Sequence, residues 1–74
     1  YDARRSKVAA FVTANQIAIL TEAKVGSGPT LTAAYDLAKI PQTRRAELTR
    51  ELATNPAYQT STEAVIIALM AHSA

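Results

Sequence analysis

The chain has 74 residues, 49% of them hydrophobic and 19% charged, with eight Lys and Arg against six Asp and Glu for a net charge of +2. That length holds one core and not two, and so much apolar content excludes an intrinsically disordered segment. The lack of any cysteine excludes disulfides and thiolate metal sites.

Only Tyr1, Phe11, Tyr35 and Tyr58 are aromatic. The core must therefore come from Ala, Leu, Ile and Val, and Ala-rich cores favour closely approaching helices over sheets. The expected fold is all-α, a single domain over residues 1–74 built as a compact bundle of four to five short helices. A domain this small sits near the lower size limit for independent folding, so it packs efficiently or borrows surface from a partner. No apolar run reaches about 18 residues and no signal-peptide pattern is visible. With the absence of cysteine, this points away from membranes and toward a cytoplasmic setting. The first residue is Tyr and not Met, the expected mark of an excised or processed piece.

In chain order, the first segment runs from about Asp2 to Lys24 without Gly or Pro, and Val8, Phe11, Val12, Ile17 and Leu20 fall near helical spacing. The polar patch Thr13-Ala14-Asn15-Gln16 favours two helices with a tight turn near Asn15, and a single bent helix fits nearly as well. Forcing Lys7–Thr13 into a strand gives a ribbon–helix–helix alternative, but Ala9-Ala10 is poor strand material. Gly26-Ser27-Gly28-Pro29 must interrupt any helix. Thr30 is a natural N-cap for the next helix, Leu31 to Lys39, with Leu31, Ala34, Tyr35 and Ala38 on one face. After a softer break at Pro41, Thr43 is placed to cap a helix ending near Thr54. Asn55-Pro56 breaks the chain again over 55–59. Thr60-Ser61-Thr62-Glu63 reads as a capping box, opening a last helix that is apolar almost all round through Met70. A helix like that is either central to the core, the favoured reading, or half of an interface.

No catalytic set can be assembled, so no enzyme, metal or cofactor is expected. His72 is the only histidine and lies where chains usually fray. Glu47 and Glu51 stand four apart on a helix face but among Arg44, Arg45 and Arg50, which reads as a salt-bridged solvent face. Gly26-Ser27-Gly28 lacks the lysine-serine ending and the preceding strand of a phosphate loop, and reads as a turn.

Two basic clusters carry the functional expectation. Arg4, Arg5, Ser6 and Lys7 place three cations and a hydroxyl at a helix start, where free amides and the helix dipole already favour anions. DNA phosphate or a guanine edge would relieve that arrangement. Its alternative is a solvated, frayed terminus. Arg44 and Arg45 repeat the pattern after Thr43. Residues Leu31 to Leu52 can also be laid on a helix-turn-helix template, with Pro41-Gln42 in the turn where glycine is usual and Glu51 where an apolar residue is expected.

The stretch Arg4-Arg5-Ser6-Lys7-Val8-Ala9-Ala10-Phe11-Val12 resembles the recognition helix of ParB/KorB-type plasmid and chromosome partition proteins. Ile17 to Val25, Leu31 to Ala38 and Thr60 to Leu69 resemble later helices of that family's linker domain. The resemblance implies a truncated helix-turn-helix DNA-binding domain, a homodimer clamping a centromere-like site, and a partner ATPase. Ser6, Lys7, Arg4 and Arg5 would match the DNA-facing end. The family's nucleotide-binding domain has no counterpart here, so no CTP site is implied.

The alternative, from another class, is a helical protein-interaction or oligomerisation module. Its working parts would be Val65, Ile66, Leu69 and Met70 of the last helix and the Ala-rich surface of the first.

Overall fold

Gly and Pro set the breaks, and between them the chain forms five helices in a computed structural model that describes residues 3–73. They are α1 (Ala3–Val25), α2 (Pro29–Ala38), α3 (Gln42–Thr54), α4 (Ala57–Thr60) and α5 (Thr62–His72). Tyr1 and the expected helix start at Asp2 lie outside the described residues. No strand occurs among the described residues, so the ribbon alternative over Lys7–Thr13 is overturned; that segment is helical. Its Val8 and Val12 are one helical turn apart and both enter the core.

α1 spans the molecule, whose longest extent is 33 Å. Both sequence readings of this segment describe part of it. Helix continues on either side of Asn15, which itself holds the non-helical angles φ −130°, ψ 19°. The cause is local. Asn15 Nδ2 donates to the Phe11 carbonyl at 3.0 Å, the acceptor that an undistorted helix reserves for the backbone N–H four residues on. Just past the kink, Gln16 holds the far side of the bundle: its Nε2 donates to the Tyr58 carbonyl at 3.1 Å, and its Oε1 accepts from the Thr62 hydroxyl.

Helix α1 packs against α2, α3 and α5 and is the spine of the bundle. The core is aliphatic and alanine-rich, as the composition requires. Val8, Val12, Ile19, Leu31, Ala38, Ile40, Leu48, Leu52, Val65 and Leu69 are all at most 2% exposed. Tyr35 is buried with them, and its hydroxyl meets Thr49 Oγ1 at 2.7 Å, joining α2 to α3.

The helix ends depart from the expected caps. Thr30 does not cap α2, which begins at Pro29 after Gly28 without any side-chain cap from its own start. Glu22, on α1, does the work instead: its Oε1 accepts the Leu31 N–H at 2.8 Å. Thr43 likewise lies inside α3, whose first residue is Gln42. The expected Thr60–Glu63 capping box does not form: the N-cap lies one residue later, Ala64 stands where the reciprocal carboxylate would be, and Glu63 pairs with Arg5 instead. Thr60 closes the short helix α4, Ser61 becomes the N-cap of α5, and Ser61 Oγ accepts the Ala64 N–H at 3.1 Å. The interval 55–59, read as a plain break, contains most of α4, because Pro56 fits the start of a helix as readily as it ends one.

α2 ends in a Schellman motif. Lys39 is left-handed at φ 58°, ψ 47°; the Ile40 N–H reaches the Tyr35 carbonyl and the Lys39 N–H the Asp36 carbonyl. Ile40 thereby drops into the core.

Candidate functional site

Three of the residues expected to meet DNA, Arg4, Arg5 and Arg45, are held by the protein's own groups. Arg5 Nη2 lies 2.6 Å from Glu63 Oε1, so the first turn of α1 is ion-paired with the first turn of α5. Arg4 Nη1 donates to Ser73 Oγ at 2.6 Å, and Ser73 donates in turn to the Ala38 carbonyl at 2.6 Å. Ser6 and Lys7 are exposed on the same helical turns. Arg45 fastens the α2–α3 corner. Its Nε donates to the Ile40 carbonyl at 2.9 Å, its Nη2 sits 3.0 Å from Asp36 Oδ1, and its guanidinium lies 5.7 Å from the Tyr35 ring centroid. Burial pushes the Tyr35 phenol above its ordinary pKa, against the Thr49 hydrogen bond and the Arg45 charge. Arg44 is exposed beside it. Arg4, Arg5, Ser6 and Lys7 lie in the first turns of α1 and Arg44 and Arg45 in the first turn of α3, with Arg4 and Arg45 half-buried and the other four exposed.

Val65, Ile66 and Leu69, placed at an interface by one of the two readings of α5, are buried in this chain's own core, and Met70 is half-buried against it. What α5 turns outward is another stripe: Ile67 and Ala71 are exposed and Ala64 half-buried, with the buried Ala68 between them, spaced i, i+3, i+4, i+7. Ile67 is 53% exposed.

That stripe forms one wall of an open groove of about 380 Å³, completed by Ala57 and Tyr58 of α4 with Asn55, Glu51 of α3, and His72. At one end of it three polar groups converge. The Tyr58 hydroxyl donates to Glu51 Oε1 at 2.6 Å, and His72 Nε2 lies 3.9 Å from Glu51 Oε2. Donation to the carboxylate, then burial, then the carboxylate's charge push the Tyr58 phenol up to about 12. His72 Nδ1 is buried and has no hydrogen-bond partner among the described residues.

Two sequence expectations are corrected here. Glu51 is not salt-bridged to arginine; the contacts it makes are with Tyr58 and His72. His72 is not a frayed tail: it sits in the last turn of α5 with its side chain 19% exposed. A signal for the second was present, since Val65, Leu69 and His72 are spaced i, i+4, i+7 on the buried face. No such signal pairs Glu51 with Tyr58, because the contact depends on how α4 folds back across the Asn55-Pro56 break.

A second hollow, of about 670 Å³, follows the outer side of α1 around its kink, lined by Thr13, Ala14, Gln16, Ile17, Ala18 and Thr21 among others. Ile17 is 83% exposed there. It offers Ile17 and two alanines among neutral hydroxyls and amides, with Glu22 at its margin already engaged in capping α2. The groove on α5 combines an apolar wall with an ionisable cluster, and is the better candidate. No set of three or more His, Asp or Glu suited to a metal ion occurs among the described residues, and no helix there is long and apolar enough to cross a membrane.

The chain matches no protein-family model, no curated protein and no solved structure. The likeness to partition proteins rests on its short motifs alone.

Proposed function

We propose that this chain is a helical protein-interaction module that takes an apolar segment of a partner into the groove between α4 and α5. The observation that carries this is Ile67, half exposed on a helix whose Val65, Ile66 and Leu69 are buried, in the wall of an alanine-lined groove. Covering the exposed half of such a side chain is worth on the order of 1 kcal/mol, and the alanines beside it let a partner's backbone come close without a steric penalty. Against the nucleic-acid reading stands the condition of the first basic cluster. Arg5 is matched to Glu63 and Arg4 to Ser73, so part of the donor capacity of each guanidinium is already engaged inside the protein.

The test is a selection of displayed helical peptides on the immobilised chain, run beside a titration with duplex DNA. Peptides enriched on the wild-type chain and lost on a folded Ile67→Asp variant support the module. The reading is overturned if no peptide shows that sensitivity. Duplex binding that weakens steeply with salt, and that drops when Arg4, Arg5 and Lys7 become Ala, would put the partition-protein reading, with its DNA site, dimer and ATPase partner, in its place.

A further inference from the structure

The groove also specifies the chemistry of what enters it. Glu51 is a carboxylate lining the same groove as the apolar wall, and among the described residues no lysine or arginine lies within ion-pair distance of it. One of its oxygens is occupied by the Tyr58 hydroxyl; the other faces only His72 Nε2 at 3.9 Å, beyond hydrogen-bond length. A partly covered carboxylate with a free acceptor gains most from a cationic donor, which would form a charge-assisted hydrogen bond there.

The wall decides the partner's backbone. No strand edge exists among the described residues, so an extended peptide would find no ladder to join and would lay unpaired amides and carbonyls on alanine and isoleucine. A helix satisfies its own backbone and presents only side chains. Ala64, Ala68 and Ala71 provide the shallow surface that such a close approach requires.

We infer that the occupant of this groove is an amphipathic helix of another protein, with apolar residues against Ile67 and Ala68 and a lysine or arginine that reaches Glu51. This rests on the interaction-module reading and narrows it to a partner class. The chain's own charge of +2 disfavours long-range attraction of a basic helix, so selectivity comes from the short contact at Glu51. Salt therefore has little effect on binding, unlike the behaviour expected toward DNA.

The experiment uses the full 74-residue chain and the displayed peptides described above. Peptides whose enrichment depends on Ile67 are expected to share a Lys or Arg at one fixed distance from their apolar positions. Replacing that residue with Gln, or making Glu51→Gln in the chain, is expected to weaken binding about tenfold, the weight of one charge-assisted hydrogen bond. Glu51→Gln keeps an acceptor for Tyr58, so a loss of binding in that variant reports the carboxylate's charge and not a broken groove wall. Ile67-dependent peptides without a basic residue, or indifferent to Glu51→Gln, overturn this inference and leave the module standing. Absence of any Ile67-dependent peptide overturns both. Sedimentation showing a dimer that Ile67→Asp dissolves and that competes with the peptides would make the occupant a second copy, and would likewise overturn it.

Discussion

The carboxylate of Glu22 occupies the space that a side chain on Gly28 would fill. A Cβ built on Gly28 falls 2.2 Å from Glu22 Oε1, the atom that accepts the Leu31 N–H. Gly28 is extended, with φ 166°, so the need for glycine is steric and not conformational. Gly28→Ala is expected to push Glu22 aside and uncap α2, at a cost of about 1 kcal/mol. Glu22→Ala removes the same hydrogen bond and is expected to cost a similar amount. Urea denaturation of both single variants and the double should show the second substitution adding almost nothing to the first.

At the other end of α2, Lys39 holds a left-handed conformation with a side chain that gains nothing from it. Its backbone N–H and that of Ile40 close the Schellman motif, and any residue supplies those. Lys39→Gly should therefore stabilise the fold, by about 0.5–1 kcal/mol once the greater freedom of glycine in the unfolded chain is counted. A higher urea midpoint at unchanged slope is the expected result.

Alkaline titration reports on the groove. The unfolded Tyr58 phenol ionises near its ordinary 10.0, whereas in the fold it holds its proton up to about 12. Between those values the unfolded state has fewer protons than the native one. The stability linked to Tyr58 is thus fully present below pH 10 and lost as the pH rises toward 12. Tyr35 shifts in the same direction, so the Tyr58 share is isolated by difference. Glu51→Gln should bring the Tyr58 transition, followed by ultraviolet absorbance against Tyr58→Phe, back toward its ordinary value.

Neighbouring residues of α5 should behave in opposite ways. Leu69 is fully enclosed, and Leu69→Ala is expected to cost roughly 2–5 kcal/mol in thermal or urea unfolding. Ile67 points out of the core, and Ile67→Asp is expected to leave stability within about 0.5 kcal/mol of the parent while removing peptide binding. Equal loss of stability in both would mean that the Ile67 side chain belongs to the core.

Much of the fold was legible because its causes are local. Gly26, Gly28, Pro29 and Pro56 end or interrupt helices through their own backbone chemistry, and Asn15 kinks α1 through a hydrogen bond to a carbonyl four residues away. Both faces of α5 were less so. An apolar helix reads the same whether it is covered or bare, and its pattern alone left Val65, Ile66 and Leu69 open between core and interface.

The sequence by itself determined the all-helical class, the number of helices to within one, and the breaks at Gly26–Pro29, Pro41 and Asn55-Pro56, though not the one at Ser61. Each follows from composition or from interactions within about four residues. Only the tertiary structure decided which groups cap, pair and remain exposed. Leu31 is capped from α1, Arg5 is paired across 58 residues, and Glu51 meets Tyr58 and His72 from three different helices. Such contacts depend on helix crossing geometry, which is set by the sum of the packed core and by no single residue near either partner.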